Sequence, residues 1–184
     1  MECSLNNRSE KTVYSNRGFY QTVGQPLSYV LIKTYEKESM ETKGPIVLID
    51  DDEDDHEILV PILQQIAPHN PVVVFTRGQD AIDFLRTTDQ RPFLIISEVS
   101  MNTMTGLELR RQIEQDNGLR KRAIPFIFFT HPVYKHLVEE AYDLTIQGFF
   151  EKKSNMTDIT TQLQAIIDYW SNCLHPNRFA SQDL

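Results

Sequence analysis

The stretch "PIVLIDDDEDDHEILV", residues 45–60, contains the change of pattern that decides the fold. Its first part is apolar throughout and lacks in/out alternation, which is typical of a parallel strand covered on both faces. Pro45 suits the start of such a strand. An acidic run follows, and then an amphipathic segment. We therefore predict a strand, a short turn and a helix, in which Pro61 marks either the beginning or a kink.

The same order of apolar run and amphipathic segment continues along the chain. Later runs read "VVVF", "FLIIS", "IPFIFF" and "GFF", and the segments between them place apolar residues three and four apart. Right-handed crossovers would join five such units into an α/β fold with a doubly wound, five-stranded parallel sheet. The last segment predicts a helix with Ser154 as its N-cap and a stripe made of Ile159, Leu163, Ile166, Ile167 and Trp170.

Composition and charge argue against several classes of protein. The 184 residues carry a formal charge of -8, which opposes binding to nucleic acid or to a membrane surface. No apolar run approaches the roughly 20 residues of a membrane span, and the N-terminus lacks a signal-peptide pattern. Cys3 and Cys173 are too few for a disulfide scaffold. We expect a cytoplasmic protein.

The chain divides into three parts by composition. Residues 1–44 are rich in polar residues and predict a mostly disordered extension, with a peptide that docks on a partner as the alternative. Residues 45–172 hold the strand and helix patterns, and residues 173–184 form a tail. A chain of this length predicts one domain with no attached DNA-binding or enzymatic module.

The predicted strand ends carry the residues with chemistry. The first strand ends in Asp50, Asp51 and Asp52, the third in Glu98, the fourth in Thr130 and the fifth in Lys152. Carboxyl ends of parallel strands meet at one edge of a sheet, where ligands bind. Alone, each residue has an ordinary explanation, such as acidic residues at a helix start. Together, they suit a divalent cation beside a phosphoryl group.

Over about residues 45–172 the chain resembles the receiver domain of two-component response regulators. The matching motifs are "VLIDDDEDD" at the first strand, "MNTMTGLEL" after the third, "FIFFT" in the fourth and "GFFEKK" in the fifth. The late "IIDYWSNCLHPN" also resembles the end of small stand-alone receivers paired with phytochrome kinases. The resemblance implies a flavodoxin-like fold with strand order 2-1-3-4-5. It also implies transfer of a phosphoryl group from a sensor histidine kinase onto an aspartate.

Residue by residue, the resemblance assigns roles to the strand ends. Glu98 stands at the phosphoacceptor position, where the family has aspartate. Thr130 and Phe149 match the switch residues, and Lys152 matches the lysine that contacts the phosphoryl group. The pocket that would hold Mg²⁺ consists of Asp50, Asp51, Glu98 and Ser100. Because the acceptor is altered, we expect Mg²⁺ binding to be weak or absent.

Several departures from the family pattern cluster around this pocket. Glutamate extends the carboxylate by roughly 1.3 to 1.5 Å, and about 1 Å of misplacement can slow a positioned reaction about a hundredfold. Asn102 replaces a usual proline and Thr105 a usual acidic residue, although Thr105 can still cap the next helix. His131 replaces a small residue and should crowd the pocket. Lys153 replaces a proline after the lysine, which predicts a trans peptide bond there.

Two hypotheses follow within the family. In one, Glu98 imitates a phosphorylated aspartate and holds the output surface switched on. In the other, the receiver is degenerate and Glu98 forms only an ion pair with Lys152. In both, we expect signalling through protein contact, as a monomer or homodimer, with a sensor histidine kinase or a downstream protein. The helix after the fourth strand, the fifth strand and the last helix would form the output surface, and no enzymatic activity is expected.

The acidic run after the first strand leaves one rival from another class. A phosphatase of the haloacid dehalogenase type also carries Asp-x-Asp there, which would make Asp50 the nucleophile and Asp52 the acid/base. However, no second acidic pair follows Lys152 closely, and there is no room for the usual insertion after the first strand. We keep this phosphatase as the alternative.

Overall fold

The computed structural model describes residues 44–174. The predicted disordered extension, apart from Gly44, and the tail beyond Leu174 lie outside the described residues, so both remain predictions. Within the described residues, no helix is long and apolar enough to cross a membrane.

Five parallel strands form one sheet in the order β2-β1-β3-β4-β5. They are β1 (Ile46–Ile49), β2 (Val72–Phe75), β3 (Leu94–Ser97), β4 (Phe126–Thr130) and β5 (Gly148–Glu151). β1, β3 and β4 are fully buried, in line with their continuous apolar sequence. The predicted doubly wound fold and its strand order are confirmed.

Six helices connect or follow the strands in the described part of the chain. They are α1 (Glu53–Ile66), α2 (Gly78–Thr87), α3 (Gly106–Gln115), α4 (Asn117–Lys121), α5 (Lys135–Asp143) and α6 (Met156–Asn172). α1 begins before Pro61 and continues through it, so this proline does not start the helix. The N-cap of α6 is Asn155 and not the predicted Ser154, since the Asn155 side chain accepts from the N–H of Asp158.

Two apolar cores lie on opposite faces of the sheet. Alternate strand residues such as Val47, Ile95 and Phe128 pack against α2, α3 and α5. Their neighbours in sequence, such as Leu48 and Ile96, pack against α1 and α6. The predicted stripe of α6 is confirmed: Ile159, Leu163, Ile166 and Ile167 are buried, and Trp170 packs at the edge of the same core.

Strand register brings the carboxyl ends of four strands together. Ile49 of β1 pairs with Ser97 of β3, so the next residues, Asp50 and Glu98, leave the sheet side by side. Thr130 ends β4 beside Glu151 of β5, and Lys152 follows directly. This register places these polar residues along one edge of the sheet, as the sequence predicts.

Candidate functional site

Lys152 forms the centre of the pocket at the carboxyl edge of the sheet. Its Nζ lies 2.7 Å from Oδ2 of Asp50, 2.7 Å from Oδ2 of Asp55 and 2.9 Å from Oε2 of Glu98. The residue is only 8% exposed, and Glu98 is 4% exposed. One ammonium therefore binds three carboxylates, and its three N–H donors match three acceptors.

Glu98 is held by donors from several sides. Its Oε1 accepts from the backbone N–H of Val99 at 2.7 Å, from that of Ser100 at 3.1 Å, and from the hydroxyl of Thr130. Its Oε2 accepts from Lys152. Thr130 is fully buried, so its hydroxyl has little access to water in place of this partner. The glutamate carboxylate is thus fixed between the hydroxyl of Thr130 and the ammonium of Lys152.

These contacts shift the ionisation of the buried groups. Burial alone would raise the pKa of Glu98, but the charge of Lys152 and the hydrogen bonds from Thr130, Lys152 and Ser100 outweigh it and lower that pKa. Burial raises the pKa of Asp50, which Lys152 offsets only in part. Burial would lower the pKa of Lys152, yet the charge of Glu98 and the bonds to Asp50 and Asp55 raise it. Lys152 therefore remains charged.

Asp51 faces the loop that follows β3. Its Oδ2 accepts from the backbone N–H of Asn102 at 2.9 Å and from the Nδ2 amide of Asn102 at 2.6 Å. Farther along this loop, Thr105 caps α3 and exchanges hydrogen bonds with Glu108 in a capping box, as the predicted cap requires. Asn102, where the family usually has proline, therefore ties this loop to the acidic run after β1.

Asp55 is a pocket residue that the sequence analysis did not single out, because acidic residues are common in the first turn of a helix. Asp52 does have such a helix-start role, since its side chain caps α1. Asp55, however, lies four residues before Leu59 and seven before Ile62, both buried. Residues at these spacings share one helix face. The inward direction of Asp55 could therefore have been predicted from the apolar stripe of α1.

His131 and Phe149 lie at the edges of the pocket. The Nδ1 atom of His131 is 3.7 Å from Oε2 of Glu98, and its side chain is 66% exposed. The crowding expected from this imidazole stays a prediction. The half-buried ring of Phe149 packs against Phe128 with a centroid distance of 5.6 Å. No cis peptide bond occurs among the described residues, which confirms the trans bond predicted before Lys153.

The acidic pocket fits a weakly bound divalent cation. Carboxylate oxygens of Asp50, Asp51 and Glu98 are the ligands that Mg²⁺ prefers. Protein donors already engage these groups, since Lys152 binds Asp50 and Glu98 and Asn102 binds Asp51. A cation must compete with Lys152 for Asp50 and Glu98, and with Asn102 for Asp51. The donor set therefore agrees with the expected weak binding of Mg²⁺.

A comparison with protein-family models identifies one match. The model of the response regulator receiver domain matches residues 46–164, which include every strand and the whole pocket. This family consists of signalling modules of two-component systems. The match favours the receiver interpretation over the phosphatase alternative. The comparison with curated proteins found no match.

Solved structures share the fold of the chain. The phosphorylated cyanobacterial phytochrome response regulator RcpA is 21% identical, with a TM-score of 0.65 over 72% of this chain and 96% of that one. The Mn²⁺-bound form of the response regulator Rcp1 is also 21% identical, with a TM-score of 0.61 over 72% and 97%. The chemotaxis response regulator CheY4 of Vibrio cholerae is 22% identical, with a TM-score of 0.56 over 68% and 99%. All three support the flavodoxin-like, CheY-type architecture.

Proposed function

This chain belongs to the response regulator receiver domain family, and from that membership we propose that it is a receiver whose signalling state is set by Glu98 and not by phosphorylation. In this proposal Glu98 supplies permanently the negative charge that a phosphoryl group supplies in other receivers. The domain acts through regulated contact with another protein and catalyses no reaction of its own.

One observation carries the proposal: the carboxylate of Glu98 binds the hydroxyl of Thr130 and the ammonium of Lys152 at the same time. By family resemblance these two groups respond to the phosphoryl group. A shorter aspartate would place its carboxylate roughly one methylene farther from both. The extra length of glutamate thus supports occupation of the switch position in the unmodified protein.

The same contacts oppose phosphotransfer onto Glu98. The nucleophile of such a transfer is a carboxylate oxygen that must approach phosphorus in line. Oε1 of Glu98 already accepts three hydrogen bonds, and Oε2 is bound to Lys152. His131 lies beside Oε2 on the outer side of the pocket. An incoming phosphoryl donor would have to displace one of these groups.

The position of Phe149 supports the switched arrangement. Its ring packs on Phe128 and against the core beside α2, α3 and α5. By family resemblance an aromatic residue here turns inward when the hydroxyl corresponding to Thr130 is engaged. The surface formed by α5, β5 and α6 is the proposed contact for a sensor histidine kinase or a downstream protein.

Phosphotransfer is tested with acetyl phosphate and magnesium, read by intact mass. We expect no phosphate adduct on the unmodified protein and an adduct on the Glu98→Asp variant, because aspartate returns the acceptor to the family position. The double variant with His131→Ala separates crowding from acceptor length. An adduct on the unmodified protein would refute the proposal that phosphorylation is lost.

The role of the charge is tested with the Glu98→Gln variant, which keeps length and removes the charge. If Glu98 holds the switch, NMR signals of the Phe149 ring and of the α5 amides should shift in this variant, and affinity for a candidate partner kinase should change. Unchanged signals and equal affinity would instead favour a degenerate receiver with a simple ion pair.

A further inference from the structure

We propose that Asp55, Glu98 and His131 form a binding site for a first-row transition metal ion such as Zn²⁺, at the mouth of the pocket. One potential ligand atom of each residue lies within 4.8 Å of the other two. The site differs from the Mg²⁺ pocket implied by the family, because it uses an imidazole and a carboxylate from the first turn of α1. It does not depend on the proposed function of Glu98.

The three side chains come from three separate parts of the fold. Asp55 lies in the first turn of α1, Glu98 follows β3, and His131 follows β4. Pro132 comes next in the chain and disfavours a helical backbone at His131, which limits where the imidazole can point. The site is therefore assembled by the sheet edge and does not result from neighbouring positions on one helix.

Distances suit an ion between the imidazole and the carboxylate. Nδ1 of His131 and Oε2 of Glu98 are 3.7 Å apart, too far for a good hydrogen bond. Zinc binds nitrogen and oxygen at about 2.0 to 2.2 Å, so two ligands in a tetrahedral site are about 3.3 to 3.6 Å apart. A small movement of the exposed ring would bring His131 into that range.

The carboxylate of Glu98 is already oriented by backbone groups. The backbone N–H groups of Val99 and Ser100 hold Oε1 of Glu98 at 2.7 and 3.1 Å, which leaves Oε2 facing Lys152 and His131. Partners that orient the ligands of a metal site strengthen binding. Three carboxylates face the single ammonium of Lys152, so negative charge remains to attract a divalent ion.

Ligand chemistry selects the type of ion. Imidazole is a good ligand for zinc, nickel and copper, whereas Mg²⁺ prefers oxygen and retains its water. Three protein ligands with a fourth position for water is a common zinc arrangement. Lys152 competes for both carboxylates of the site, Asp55 and Glu98. An ion that does not bind the imidazole should therefore bind weakly. His131 should therefore decide the preference for zinc over magnesium.

The test is calorimetric titration of the full chain, stripped of metal by a chelator, with Zn²⁺ and separately with Mg²⁺. We expect one zinc site whose affinity falls at least about tenfold in His131→Ala, because loss of a ligand should cost no less than loss of its supporting groups. Mg²⁺ binding should not weaken in this variant. His136→Ala is the matched control, since it removes another exposed histidine five residues away.

Cobalt substitution distinguishes this site from adventitious binding to cysteine. Co²⁺ at Asp55, Glu98 and His131 should give weak visible bands that His131→Ala abolishes, with no thiolate charge-transfer band. Asp55→Asn should weaken Zn²⁺ binding as well. Equal zinc affinity in the unmodified protein and His131→Ala, or a thiolate band with cobalt, would overturn the proposal.

Discussion

The Nζ atom of Lys152 lies 2.9 Å from Oε2 of Glu98, and both residues are buried at the carboxyl edge of the sheet. The same ammonium also binds Asp50 and Asp55. Three carboxylates thus depend on one cation, which raises the pKa of Lys152 above its usual value despite burial. Lys152 is the cation that all three of these carboxylates contact, so loss of its charge should leave them uncompensated.

Replacement of Lys152 by methionine should therefore destabilise the fold strongly. Removal of one member of a buried ion pair typically costs about 3–5 kcal/mol, because the remaining charge stays uncompensated. We expect a fall of this size in the free energy of unfolding, measured with urea at pH 7. Lys153→Met, at the exposed next position, is the control and should change stability little. If Lys152→Met lowered the free energy of unfolding only slightly, Lys152 would not be the buried counter-ion of these carboxylates.

Asn102 should weaken the binding of Mg²⁺ by holding Asp51. The Asn102→Ala variant loses the amide bond of 2.6 Å to Oδ2 of Asp51 but keeps the backbone bond. One such bond is worth about 1 kcal/mol, which corresponds to an affinity increase of about fivefold. Mg²⁺ titration followed by NMR measures this change, and Thr103→Ala in the same exposed loop serves as its control. Unchanged affinity would show that Asn102 does not compete.

Strand ends were the part of the site that the sequence could predict. Asp50, Glu98 and Lys152 come directly after parallel strands and Thr130 ends one, and such positions share an edge in any sheet of this topology. Their convergence could therefore be predicted from the apolar runs and the order of the strand-helix units alone. The residue types at these ends also predicted a divalent cation beside a phosphoryl group, and the family resemblance added the roles of the single residues.

Local features without periodicity could not be predicted in this way. α4 has only five residues, too few for an apolar stripe, and Asp116 caps it. The bond between Asn102 and Asp51 joins residues 51 positions apart through a loop conformation that no pattern encodes. Ser154 and Asn155 are both good N-caps, so the sequence could not choose between them.

Acid should remove part of the stability that Glu98 contributes. Its pKa is below the ordinary value of 4.5, so its contribution is complete above about pH 4.5 to 5 and is lost as the pH falls through the lowered value. Asp50 should change the unfolding free energy in the opposite direction, because its pKa is raised and its protonation in acid favours the folded state. The two groups must therefore be separated by mutation.

The measurement is urea unfolding between about pH 6 and pH 3 of the unmodified protein and of Glu98→Gln. The unmodified protein should lose more unfolding free energy than Glu98→Gln as the pH falls across this range. Glu57→Gln, at an exposed position of α1, is the matched control. A pH-independent difference would mean that Glu98 has no stabilised charge.

Gly106 should be essential for the loop that carries Glu98. A Cβ atom there would overlap the carbonyl oxygen of Glu98 and lie 2.6 Å from Cε1 of Phe128. Overpacking of this kind costs about 1–3 kcal/mol, so Gly106→Ala should lower the unfolding free energy by that amount. Gly118→Ala is the matched control, because its nearest atom is a side-chain oxygen of Asp116 at 3.2 Å. Equal stability of the two variants would contradict the close approach of α3 to the loop after β3.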